Sequence, residues 1–226
     1  MLPWIHLATA VASGGGTLRL LRRGQEFSIR LQDGNELMNS RLSGSEEALA
    51  TLALKHLAGR ASPRVLIGGL GMGFTLRAAQ AVAPPNARIT VLEIVPDLVD
   101  WAGEHMREVF GDCLQDPRVT VQTGDVSTAI RASAATFDAI LLDVDNGPAG
   151  LTRADNDALY GESGLQAARQ ALTPGGVLAV WSAAQDAAFT KRLSRCGFDV
   201  STHMVRATSA GRGARHTIWI ALRRGS

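Results

Sequence analysis

The sequence predicts a doubly wound α/β fold: a mostly parallel sheet with an antiparallel terminal hairpin, preceded by a small N-terminal β unit. Three observations predict it. From Pro63 onward, short apolar runs alternate with segments of helical spacing. The first of those runs, "VLIGGLGMGFTLR" at 65–77, passes directly into Gly69, Gly71 and Gly73, after which a helix begins. The chain closes on "FDVSTHMVRATSAGRGARHTIWIALRR", two strand-like stretches around a Gly/Arg loop.

The elements follow in order. "WIHLATA" alternates and is broken by Gly14–Gly16. "TLRLLRRG" and "EFSIRLQ" read as strands with turns at Arg23-Gly24 and Asp33-Gly34, and "NELMNSR" closes an antiparallel unit over residues 1–42. Residues 43–226 form the second domain. It opens on "SGSEEALATLALKHLA", a helix with Ser43 or Ser45 as cap and acids in its first turn. Strand–helix pairs then follow: "RVLIGG" with "GFTLRAAQAV", "ARITVLEI" with "PDLVDWAGEHMREVF", and "PRVTVQTGD" with a short helix around Val126–Ala132. "FDAILLDV" leads through "DNGPAGLTRAD" into the helical "NDALYGESGLQAARQAL". "GGVLAVWS" is a strand and "DAAFTKRLSRCG" a helix that Gly197 can end.

Bulk properties narrow the function. The 226 residues are 46% hydrophobic and 19% charged, an ordinary globular composition. Aromatics at 5% supply poorly the stacking platform that single-stranded nucleic acid needs, and the net charge of +2 argues neither way, so no nucleic-acid partner is expected. Cys113 and Cys196 are far apart and lack metal-ligand spacing, which reads as two reduced thiols. The N-terminus has no charged start or long apolar core, and no apolar run approaches the roughly 20 residues of a membrane helix. The expectation is a soluble cytoplasmic chain with no membrane partner.

A glycine-rich strand–helix turn alone fits nicotinamide, flavin and S-adenosylmethionine (AdoMet) proteins alike; no Gly-Lys-Ser/Thr follows, so a P-loop is set aside. The next strand ends narrow the choice. Glu93, about twenty residues beyond the glycines, can accept both ribose hydroxyls of an adenosine, with Ile94 beside it at the rim. Asp125 in "TGD" can accept an adenine amino group while the backbone of Val126 reads the ring edge. Asp143 ends the fourth strand. Each has a plainer reading: a strand-end acid for Glu93, a helix cap for Asp125. Their recurrence at successive strand ends favours a nucleoside site, and the terminal hairpin favours an AdoMet-type transferase sheet over a dehydrogenase.

Through "VLIGGLGMGFTLR", "VLEI", "TGD", "FDAILLDVDNGP" and "LTPGGVLAV" the chain resembles the spermidine synthase group of class I AdoMet-type transferases. The resemblance implies a methyltransferase-like Rossmann fold, a nucleoside site from Gly69, Gly71, Gly73, Glu93, Asp125 and Val126, Asp143 facing the reacting centre, and a homodimer. Three departures accompany it. Met72 stands where the family's aminopropyl transferases have an Asp that holds the amine end of decarboxylated AdoMet. Asn146 replaces the second Asp of the catalytic loop, with Asp145 shifted by one place. Ser45 and Glu46 replace a Tyr-His or Tyr-Gln pair that helps grip the polyamine.

Both candidate reactions attack a sulfonium carbon in line, so the protein must position a small-molecule acceptor and free its lone pair. An amine acceptor suits Asp143, Asp145 and Glu46; a hydroxyl or carboxylate acceptor suits Arg153, Arg206, Arg212 and Arg215, whose plainer reading is a solvated basic surface. Tyr160, the only tyrosine, can cover the acceptor or simply pack. "DVD" lacks a histidine or second acidic partner, so no metal is expected, and none of the five histidines is given a role. Because Met72 neither attracts an ammonium nor repels a carboxylate, the sequence favours intact AdoMet and methyl transfer to a small molecule. Aminopropyl transfer from decarboxylated AdoMet to putrescine or a related amine is the alternative, and a catalytically silent nucleoside-binding protein the third.

Overall fold

The computed structural model describes residues 2–11, 16–144, 148, 159–208 and 213–225. The first four strands, β1 (Ile5–Val11), β2 (Thr17–Arg23), β3 (Glu26–Leu31) and β4 (Glu36–Asn39), form an antiparallel sheet in that order. Helix α1 (Gly44–Leu54) follows. Its N-cap is Ser43, which makes no side-chain capping bond; Ser45 lies inside the first turn and faces inward.

Seven strands then build the main sheet: β5 (Arg64–Gly68), β6 (Arg88–Glu93), β7 (Val119–Thr123), β8 (Phe137–Leu142), β9 (Leu172–Ser182), β10 (Phe198–Arg206) and β11 (Arg215–Arg223). Their order is β10-β11-β9-β8-β5-β6-β7, and β5 to β9 run parallel. Strand β11 enters between β9 and β10, antiparallel to both, which is the expected terminal hairpin. Helices α2 (Phe74–Val82), α3 (Pro96–Glu104), α4 (Arg107–Phe110), α5 (Val126–Arg131), α6 (Glu162–Ala171) and α7 (Ala187–Arg195) connect the strands.

Strand alternation divides the core. Val65, Ile67, Ile89, Val91, Leu141 and Ala179 face α1, α2 and α3 on one side. Leu66, Leu92, Ile140, Leu142, Leu178 and Val180 face α5, α6 and α7 on the other. Leu20, Phe27 and Ile29 of the small sheet join the first of these cores. The N-terminal unit is therefore fastened to the α1 face, and it overhangs the ends of β5 and β8. Strand order reverses between those two strands, and open α/β sheets bind ligands at such a reversal.

Candidate functional site

The turn after β5 is held by its own neighbours. Gly69 (φ 89°) and Gly73 (φ 77°) lie in the left-handed region. A Cβ on Gly69 would stand 2.3 Å from the Asp143 carbonyl oxygen, and one on Gly73 would stand 2.5 Å from the Phe110 ring. Both glycines serve close approaches within the protein. Gly71 is the one at the pocket, and a Cβ there would meet only Met38 Sδ, at 3.7 Å.

Glu93 is 5% exposed, and both its oxygens are engaged. Oε2 accepts the Leu70 N–H at 2.9 Å and Oε1 the Val95 N–H at 3.0 Å. Burial raises its pKa, and these backbone donors, with Ile94 and Gly71 behind them, work against that rise. Its first task is to pin the glycine turn to the end of β6. Asp125 is the N-cap of α5, accepting the Ser127 N–H at 2.8 Å and the Ser127 hydroxyl at 2.6 Å. Val126 is buried against Gly68, where any Cβ would stand 3.0 Å from its methyls. The plainer readings of Glu93 and Asp125 thus describe real bonds, on the rim where the nucleoside reading places both.

A small pocket of about 90 Å³ lies between the small sheet, α1 and the glycine turn. Met72, Leu70, Phe74, Met38 and Trp181 form its apolar wall. Met72 is 4% exposed, so it packs in the core and faces the pocket at once. Two carboxylates reach the same space, Glu46 from α1 and Asp143 from the end of β8. Thr75, in the first turn of α2, donates to Asp143 Oδ2 at 2.7 Å and touches the Glu46 carbonyl at 3.3 Å. Glu46 Oε2 accepts the Ser45 hydroxyl at 2.6 Å. Among the described residues Ser45 is the side chain that hydrogen-bonds the Glu46 carboxyl, and Thr75 the one that hydrogen-bonds Asp143. Burial pushes both carboxyls up, and their mutual repulsion adds to this for Glu46, against the pull of Ser45 and Thr75 on the ionised forms. Among the described residues lining the pocket none is basic.

Sequence reading misses Thr75, Trp181 and His216. Thr75 has a signal, since the first turn after a glycine loop faces the strand ends. His216 has none: its Nδ1 lies 2.8 Å from Ser45 Oγ across 171 positions of sequence. Of the two readings of Tyr160, the structure shows the packing one: it is 1% exposed, its ring meets Phe189 edge-on at 5.7 Å, and it belongs to the core on the α5–α7 side. Arg206 and Arg215 are exposed on the hairpin. Asp145, Asn146, Arg153 and Arg212 lie outside the described residues. Among the described residues no group of His, Cys, Asp and Glu could hold a metal, and no helix is long and apolar enough to cross a membrane.

Sheet order, glycine turn and strand-end acids together define a class I methyltransferase-like Rossmann fold. The spermine/spermidine synthase domain matches residues 46–196, and the chain belongs to that family. A polyamine aminopropyltransferase of Aeropyrum pernix is 32% identical over 168 residues, 71% of this chain and 50% of that protein. One from Corynebacterium efficiens is 33% identical over 135 residues, 58% of this chain and 25% of that protein. The chain therefore spans half or less of the length of these relatives. Among solved structures, a spermidine synthase in complex with the transition-state analogue AdoDATO superposes with a TM-score of 0.73 at 16% identity, covering 98% of this chain and 73% of that one. The spermidine synthase of Thermotoga maritima gives 0.72 at 16%, covering 98% and 74%.

Proposed function

We propose that this chain transfers an aminopropyl group from decarboxylated AdoMet to a small primary amine. The observation that carries the proposal is the Glu46–Asp143 pair in an apolar pocket with no basic residue among its described lining. Two carboxylates there attract ammonium groups and repel a carboxylate. The methyl-transfer expectation rested on Met72, which leaves the glycine turn without an anion. Glu46 brings one into the same pocket from another element, so the discrimination against intact AdoMet does not depend on residue 72. The relatives named above are aminopropyltransferases and give methyl transfer no support.

The pocket's volume suits the tail of a ligand and an amine, not a whole nucleoside, whose sites run to roughly 300 Å³ or more. In this reading the ribose and base lie along the rim of Gly71, Glu93, Ile94, Asp125 and Val126. The bound nucleoside supplies a sulfonium carbon open to in-line attack. Asp143, fixed by Thr75, and Glu46, fixed by Ser45, hold the acceptor's ammonium and take its proton, freeing the lone pair. Met72, Trp181 and Phe74 keep water away, which strengthens both carboxylates' pull.

Paired calorimetric titration with AdoMet and its decarboxylated form, followed by turnover with diamines, tests the proposal. The expected result is at least roughly tenfold tighter binding of the decarboxylated form, from like-charge repulsion of about 1–4 kcal/mol against the intact one. Methylthioadenosine and an aminopropylated amine should then accumulate. Preference for intact AdoMet with a methylated product would overturn it.

A further inference from the structure

Ser45 is fully buried in the first turn of α1, and its hydroxyl stands between two titratable groups: 2.6 Å from Glu46 Oε2 and 2.8 Å from His216 Nδ1. A hydroxyl carries one proton and can accept another bond, so this chain has two complete polarities. With Glu46 ionised, Nδ1–H donates to Ser45, which donates to Oε2. With Glu46 protonated, Oε2–H donates to Ser45, which donates to Nδ1. Neither polarity leaves a buried polar group of the chain without a partner, so a proton can pass along it at little cost. The outer end is suited to release. His216, on β11, is partly exposed, and its ring is held edge-on by Trp181 at 4.8 Å, the residue that also walls the pocket. Burial lowers its basicity, so it passes a proton on and does not keep it.

We propose that Glu46, Ser45 and His216 form a proton exit that carries the acceptor amine's proton out of the pocket. The proposal rests on the aminopropyl-transfer reading above. Transfer to an ammonium releases one proton overall. The acceptor gives an N–H proton to Glu46 Oε1; its lone pair forms the N–C bond while the C–S bond breaks and its electron pair returns to sulfur. A half-turn of the Glu46 carboxyl presents the proton to Ser45; with the ring in its Nε2–H tautomer, Ser45 gives its own proton to the bare Nδ1, the imidazolium loses its Nε2 proton to water, and exchange of the partly exposed ring with water restores the Nε2–H tautomer for the next turnover. Glu46 contacts the acceptor; Ser45 and His216 act through it.

The test uses Ser45→Ala and His216→Gln with decarboxylated AdoMet and two acceptors: butane-1,4-diamine, and an alkoxyamine of matching length whose nitrogen is already neutral at pH 7. Each variant should lose roughly 10- to 100-fold in single-turnover rate with the diamine, the range of a proton-transfer contribution. The double variant should be no worse than either single one, because both cut one chain. The alkoxyamine rate and the affinity for methylthioadenosine should stay within about threefold of wild type, well inside that range. Gln at 216 can still bond Ser45 but cannot relay a proton, and it serves if the Ser45 variant does not fold. Equal losses on both acceptors would make the residues merely structural and overturn the relay. Diamine rates near wild type would overturn it while leaving the aminopropyl reading intact. A wild-type enzyme that aminopropylates neither acceptor would overturn that reading, and the relay with it.

Discussion

Replacing Glu46 by Gln should change how stability depends on pH, and its sign follows from the pocket. The native carboxyl is raised from 4.5 to about 7, first by burial and then by Asp143. A raised native value means that the folded protein binds this proton more tightly than the unfolded chain. That contribution is fully present below about pH 4.5, fades as the pH rises, and is gone above about pH 7. Gln has no proton to lose, yet its amide oxygen can still accept the Ser45 hydroxyl. At about 1.4 kcal/mol per pKa unit the shift corresponds to roughly 3 kcal/mol. Glu46 is only partly buried by its surface exposure and shares its repulsion with Asp143, so about 1–2 kcal/mol is the expected gain. Urea unfolding followed by tryptophan fluorescence reads it directly, since Trp181 and Trp219 are buried. The variant should match wild type near pH 5 and exceed it near pH 8. A Gln variant destabilised equally at both pH values would refute the raised carboxyl and the account of the pocket built on it.

Asp143→Asn should leave nucleoside affinity within a few-fold and cut turnover by roughly 100-fold or more, measured by methylthioadenosine release; intact turnover would make Asp143 a structural loop residue. Glu93→Ala should weaken nucleoside binding by at least about 1.5 kcal/mol and also destabilise the fold, because the Leu70 and Val95 N–H groups lose their acceptor. Unchanged affinity in calorimetry would remove Glu93 from the ribose. Gly73→Ala should cost roughly 2–4 kcal/mol in urea unfolding, from a left-handed φ of 77° and a Cβ 2.5 Å from Phe110. Gly71→Ala, with open space at the pocket, should cost about 1 kcal/mol. Arg60→Ala should cost about 3 kcal/mol, since Asp138, buried at the start of β8, would keep Thr173 and the Arg64 N–H but lose its cation.

The parallel sheet was legible because its signals are local: a two-residue alternation, a 3.6-residue one, and glycine where the chain turns left-handed. The terminal hairpin was legible for the same reason, and it selected the fold. Positions at strand ends could be named from order alone, but not the bonds they make. Glu93 and Asp125 are acids at the rim of the crevice, and each is also spent on backbone or helix-cap donors that no spacing announces. Tyr160 shows the reverse case, where sequence order left two readings open. It precedes α6 in sequence and packs with that helix in the core on the α5–α7 side of the sheet. Ser45 and His216 meet only because β11 inserts beside β9 under the start of α1, a consequence of sheet order and not of any motif.

An apolar residue among the three glycines is what the charges of this pocket demand. Glu46 and Asp143 already stand there with both carboxyls pushed up, each resisting ionisation. A third carboxylate at position 72, only 4% exposed and facing the same small volume, would have to be desolvated and would repel both. One of the three would stay protonated and donate, not attract. The thioether of Met72 instead fills the wall beside Leu70 and leaves the two acids their full effect on an incoming cation. In the proposed reaction the helix-borne Glu46 and the loop-borne Met72 are thus a matched pair: an anion on α1 in place of one on the glycine turn keeps an acid facing the donor's tail. The same position places that acid next to Ser45, where a carboxylate on the turn would have no hydrogen-bonded route to His216.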